Sequence, residues 1–124
     1  MQIGPIELLV SQDGTNFDFT INYSLNFSQT EVDQNFVFEH QIVFWESDSD
    51  EPFGGGDDDL FHVQREFSDP DSTVERFSFI VGATADELDT ELGGEEIWAE
   101  VYARNSTTAG QVISRKSPLL NLAV

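Results

Sequence analysis

Apolar and polar residues alternate without a break over "NFDFTINYSLNF", residues 16 to 27. On an extended chain Phe17, Phe19, Ile21, Tyr23, Leu25 and Phe27 share one face, and Asp18, Thr20, Asn22, Ser24 and Asn26 share the other. A period of two over that length predicts a long strand with one buried face and a flat polar ledge opposite. Residues 3 to 10 read as a first strand, with Pro5 placing its start at a sheet edge. Asp13-Gly14 is the hairpin signal that joins it to the long strand. "NFVFEHQIVFWE", residues 35 to 46, is different, because Phe36, Phe38, Ile42 and Phe44 fall on one face and Val37, Val43 and Trp45 on the other. Such a strand is either covered on both sides or carries a patch that meets a partner. Val37, Val43 and Trp45 are therefore the candidate partner contacts.

"SDSDEPFGGGDDD", residues 47 to 59, has no periodicity and reads as an acidic loop. Alternation resumes over residues 60 to 67, with Phe61, Val63 and Phe67 on one side, and again over 74 to 81 after the turn "SDPDST". One helix is signalled: Thr84 and Glu87 form a capping box, Leu88 and Leu92 lie four apart, and Gly93-Gly94 closes it. Residues 95 to 105 form the next strand, and the last runs from 111 to the end with an interruption near Pro118. Residues 1 to 124 thus predict one all-β domain, a two-sheet antiparallel β-sandwich of about seven strands with one short helix in a late crossover.

The stretch "EIWAEVYARN", a turn, and then "SRKSPLLNLAV" resembles the last two strands of a fibronectin type III or related immunoglobulin-like domain. The resemblance implies an immunoglobulin-like sandwich and carries no functional residues with it. The chain departs from that pattern in lacking a tryptophan in the strand at 16 to 27 and in the length of the loop at 47 to 59.

Charge narrows the possible partners. The chain has 24 acidic and 5 basic residues and a net charge of −19, with Arg65, Arg104 and Arg76 isolated and only Arg115 and Lys116 adjacent. A nucleic-acid surface needs clustered cations to release counterions, so nucleic acid is excluded as a partner, and an anionic membrane is disfavoured for the same reason. Self-repulsion on this scale favours a milieu of salt or divalent cations. No segment is long and apolar enough to insert in a membrane, and "MQIGPIELLV" has no basic n-region, which predicts a soluble protein that is cytoplasmic or part of an assembled particle. Cysteine is absent, so disulfides, thiolate metal sites and cysteine nucleophiles are excluded together.

Asp48, Asp50, Asp57, Asp58 and Asp59, with Asp69 and Asp71 from the neighbouring turn, supply enough oxygens for calcium. The spacing fits no standard loop: in an EF-hand starting at Asp48, Pro52 takes the fifth position and Phe53 the place of the required glycine. His40 and His62, with Glu39 or Glu66, are a thinner metal set. No nucleophile elbow and no glycine-rich strand-to-helix loop is present, so the residues predict no enzyme. The leading expectation is a non-catalytic structural or interaction module with a protein partner or further copies of itself, as a subunit of a repeated assembly such as a virion, tail or surface filament. The alternatives are a calcium-binding module and, on the polar ledge of residues 18 to 26, a carbohydrate-binding sandwich.

Overall fold

The long alternating strand is the centre of the first sheet. The computed structural model describes residues 1–46, 58–63, 65–84, 88 and 95–122, with the backbone alone described for residues 58–61 and Glu95. Strands β1 (Gln2–Ile3) and β2 (Glu7–Asp13) both pair antiparallel with β3 (Asn16–Asn26), and β7 (Val74–Thr84) pairs along its other edge. The second sheet is built on β4 (Phe38–Glu46) and β8 (Glu95–Asn105), which pair over the full length of β4. Strands β5 (Asp58–His62) and β6 (Glu66–Ser68) share the outer edge of β4, and β9 (Ile113–Lys116) and β10 (Leu120–Leu122) share the outer edge of β8.

Counting each divided strand once gives seven positions, three in one sheet and four in the other. The expected all-β sandwich of about seven strands is what the chain forms. Its core is the facing sides of β3 and of β4 with β8. Phe17, Phe19, Ile21, Tyr23, Leu25 and Phe27 are all buried, as the alternation predicts, and meet Phe38, Ile42, Phe44, Ile97, Ala99 and Val101. The ledge residues Asp18, Thr20, Asn22, Ser24 and Asn26 are exposed or half-buried on the outside.

Three edge strands are broken, and each break inserts one extra residue. Residues 4 to 6 separate β1 from β2 opposite two residues of β3, 63 to 65 separate β5 from β6 opposite two of β4, and 117 to 119 separate β9 from β10 opposite two of β8. At the first break a side chain on Gly4 would come within 2.3 Å of Ser24 Oγ, which explains the glycine there. At the last, Ser117 Oγ accepts the Ala99 N–H at 2.9 Å and takes the place of a ladder carbonyl. The middle break corrects the sequence reading of residues 60 to 67. Val63 packs on the core, but the extra residue flips the parity and leaves Phe67 outside, 61% exposed.

Two local expectations need correction. The hairpin turn is Gly14-Thr15, since Asp13 already pairs with Asn16, and Gly14 takes the positive φ of 62° at the first turn position. The helix described in full, α1 (Gln29–Asp33), lies in the early crossover from β3 to β4. Its capping box is Ser28 and Glu31: the Glu31 N–H donates to Ser28 Oγ at 3.1 Å, and the Ser28 N–H donates to Glu31 Oε1 at 2.9 Å. The expected late helix lies outside the described residues except for Leu88, which is helical and fully buried. A helix of five residues with no buried side chain depends on its cap. Ser28→Ala should therefore lower stability by about 1 kcal/mol, read as a shift of the urea midpoint at constant slope.

Candidate functional site

Two places gather polar chemistry. One is inside the sandwich, where His40 follows the parity of Phe38 and Ile42 and so faces the core. It is 2% exposed. The Tyr23 phenol lies 2.5 Å from His40 Nδ1, Ser68 Oγ lies 3.1 Å from Nε2, and the Phe77 ring packs 4.4 Å from the imidazole. Burial lowers the His40 pKa to about 4, and burial with the nearby Glu66 carboxylate raises that of Tyr23, so at neutral pH the imidazole is neutral and the phenol protonated. Serine, histidine and a third hydrogen-bonding group are the residue types of a nucleophile, its base and an orienting partner. The proton arrangement here differs. Nδ1 is the phenol's acceptor among the described residues, so the tautomer that satisfies the buried O–H has the phenol donating to Nδ1 and Nε2–H donating to Ser68. A nitrogen already protonated cannot take the serine proton. The three side chains form a satisfied polar chain that ties the two sheets together.

The other place is the outer face of the four-stranded sheet, where the second side of β4 lies. Val43 is 4% exposed there and Trp98 6%. Trp45 is half-buried and stacks on Trp98 with ring centroids 5.5 Å apart, and the Lys116 ammonium stands 4.6 Å above the Trp98 ring. Glu100 accepts from Tyr102 at 2.6 Å and from Ser114 at 2.8 Å. Glu39, also buried, is held by Arg65 at 3.2 Å and by the Arg104 side chain. Gln41 donates to the Val63 carbonyl at 2.9 Å. A shallow cleft of about 340 Å³ opens between Glu39, Gln41, Arg65, Tyr102, Arg104 and Val112. Phe67 and Val112, 61% and 52% exposed, stand at the two sides of the Glu39–Arg104 row.

The expected partner contacts are thus placed unevenly. Val43 is covered by its own chain, Trp45 is committed to Trp98, and Val37 lies before β4, its amide bonded to Thr107 Oγ1 and its carbonyl to Ser106. The exposed groups of this face include Phe67, Val112 and Arg65, which parity within a single strand does not reveal, because they come from the edges; half-buried Arg104 joins them from β8.

The seven-carboxylate set does not assemble as one group. Asp48, Asp50 and Asp57 lie outside the described residues. Asp58 and Asp59 belong to β5, beside Glu46 and Trp45, whereas Ser68, next to Asp69, pairs with Phe38 at the other end of β4. Eight residue steps separate Phe38 from Glu46, about 26 Å of strand, so exposed Asp69 and Asp71 are far from Asp58 and Asp59. Among the described residues no three histidine or acidic side chains come together as a metal group. His40 and His62 do not meet either, since His40 faces the core and His62 is exposed beside outward-facing Val43.

No helix among the described residues is long and apolar enough to cross a membrane. No protein-family model and no curated protein matches the chain. Among solved structures it is similar to the crystal structure of the "putative ApaA protein" from Bordetella pertussis, with 12% identity, coverage of 98% of this chain and 97% of that one, and a TM-score of 0.46. At that score the likeness carries no argument, and the sandwich rests on its own strand pairing.

Proposed function

We propose that the chain is a non-catalytic structural module of a repeated assembly that docks a protein partner on the outer face of its four-stranded sheet. Charge segregation carries this reading. Residues 1 to 100 hold all 24 acidic residues and 2 basic ones, and residues 101 to 124 hold 3 basic residues and no acidic one. Folding sets Arg104 from the acid-free end beside Arg65 at the buried carboxylate Glu39, and Lys116 on the same face opposite buried Glu100 and over Trp98. A chain of net charge −19 therefore offers one surface where an acidic partner meets guanidinium groups flanked by exposed Phe67 and Val112. The proton arrangement of Tyr23, His40 and Ser68 supports the non-catalytic part.

The immunoglobulin-like reading belongs to the same proposal. Numbering the seven strand positions along the chain, the sheets run 1-2-5 and 4-3-6-7. This is the constant-type immunoglobulin arrangement with the fourth strand moved to the sheet of the third.

Sedimentation from about 10 μM to about 1 mM covers the range where a contact of less than about 1,200 Å² becomes populated. The mass should climb past a dimer, and Phe67→Asp with Arg104→Glu should hold it at a dimer or below. A mass that never exceeds two chains at any concentration would remove the repeated assembly.

A further inference from the structure

Sheet edges are where a β-protein is open to other chains, because their outward N–H and C=O groups lack a ladder. Three of the four edges here carry a guard. The β1/β2 edge is broken at Gly4-Pro5, the β5/β6 edge at 63 to 65, and the β9/β10 edge at Ser117-Pro118 with Arg115 and Lys116 beside the break. The fourth edge, β7, is an unbroken strand of eleven residues whose ladder with β3 has no register shift. Among the described residues no strand pairs its other side. It contains no proline, and its only charged residues are Glu75 and Arg76 at one end.

The side chains of β7 agree with an edge that is incompletely covered. Phe77, Phe79 and Val81 point inward on the parity of buried Ala83, yet each is only half-buried. The Phe77 and Phe79 rings lie parallel, 6.5 Å apart, and both stack on Tyr23. On the outer side Ile80 is 72% exposed, the highest value among the large apolar residues described as exposed.

We infer that β7 is a self-pairing edge: two copies join their β7 strands antiparallel about a two-fold axis at Phe79, making one continuous six-stranded sheet from two three-stranded ones. The occupant is a second copy because the strand is complementary to itself. The register centred on Phe79 runs the ladder from Glu75 to Ala83, sets Ile80 beside the partner's Ser78, and sets Arg76 and Glu75 beside the partner's Gly82 and Ala83. No charge then faces a like charge, although 24 of the 124 residues are acidic. An isologous contact of this kind closes at two chains. Added main-chain hydrogen bonds supply the attraction, and the exposed margins of Phe77, Phe79 and Val81 are covered by their counterparts. This contact is separate from the docking face proposed above: one makes dimers, the other extends them.

The absence of cysteine makes the test direct. Directly opposed residues of an antiparallel pair have Cα atoms about 4.5–5.5 Å apart, within disulfide range, whereas a two-residue offset puts them beyond about 7 Å. Ser78→Cys and Ile80→Cys proteins, both altered at exposed positions, are mixed with oxidised glutathione at about 0.15 M salt, where charge repulsion is screened beyond about 8 Å. The mixture should form a covalent 78–80 dimer at least about tenfold faster than either variant alone or a Ser11→Cys control on the β2 edge. As a second measurement, Ile80→Lys in the cysteine-free chain should weaken the reversible dimer about tenfold or more, because a lysine guards an open edge. Equal cross-linking in the mixture, the single variants and the control would overturn the proposal, as would a dimer unaffected by Ile80→Lys. Specific cross-linking without masses above a dimer would leave this inference standing and remove the repeated assembly. Masses above a dimer without specific cross-linking would do the reverse.

Discussion

Phe44→Ala is expected to lower the unfolding free energy by about 3–5 kcal/mol, the range for removing a fully buried aromatic ring. Phe44 lies near the middle of β4, is 0% exposed, and packs its ring 5.5 Å from Phe19, which is equally buried on β3 in the opposite sheet. The pair is therefore a contact between the two sheets, and each ring fills space that the other sheet cannot close by a small shift. Truncation removes both the transfer of the ring from water and the contacts lining the cavity left behind. Total stabilities of domains are about 5–15 kcal/mol, so the variant should lose much of its margin and unfold at far lower urea. Leu9→Ala is the matched control. Its side chain lies on the outside of the other sheet, and its loss should stay within about 0.5 kcal/mol. The comparison is made on urea midpoints at unchanged slope, and a Phe44→Ala loss below about 1 kcal/mol would mean that the two sheets do not depend on this contact.

The parts of the fold legible in the sequence are those set by local parity. Residues 17 to 27 fall on the core because a pleated strand has a period of two, and the inward placement of His40 and Glu46 follows from the same parity as Phe38, Ile42 and Phe44. The interruption near Pro118 was legible too, because proline cannot donate to a ladder. What local pattern does not carry is the partner of each strand. Phe67 reads as a core residue until one residue inserted beside β4 reverses its side. Asp58 and Asp69 are eleven positions apart in the chain, yet they reach opposite ends of β4 because β5 and β6 run along it in sequence. The face proposed for docking was half legible: β4 does have a second apolar side, but β8 supplies Trp98 and Glu100 to fill it, and exposed Arg65, Phe67 and Val112 come from the sheet edges. Two segments satisfy the same capping formula, Ser28 with Glu31 and Thr84 with Glu87. Leucines and paired glycines follow Thr84, whereas α1 has no fully buried side chain and only half-buried Val32 against the core, so that its cap is its clearest sequence signal.

Acidification from pH 7 to pH 4 should cost the fold about 3 kcal/mol through His40 alone. Its pKa is lowered by burial to about 4, against an ordinary value of 6.5 in the unfolded chain. Between those values the unfolded chain binds the proton and the folded one does not, so stability falls as the pH drops through 6.5 and stops falling below about 4. A proton on Nδ1 would also displace the hydrogen that Tyr23 donates there, leaving a buried hydroxyl without that acceptor. Protonation of surface carboxylates near pH 4 acts the other way, by relieving the repulsion within a chain of net charge −19. A variant separates the two effects. His40→Phe keeps an aromatic ring beside Phe77 but has no group to titrate. It should be less stable at pH 7, because the Tyr23 hydroxyl loses its acceptor and Ser68 its donor. From pH 7 down to pH 4 the difference between the two proteins should shrink by about 3 kcal/mol, since only the protein with histidine loses this contribution. Urea midpoints at half-unit pH intervals measure this convergence, and parallel curves would show that the imidazole is not the group that makes the folded sandwich sensitive to acid.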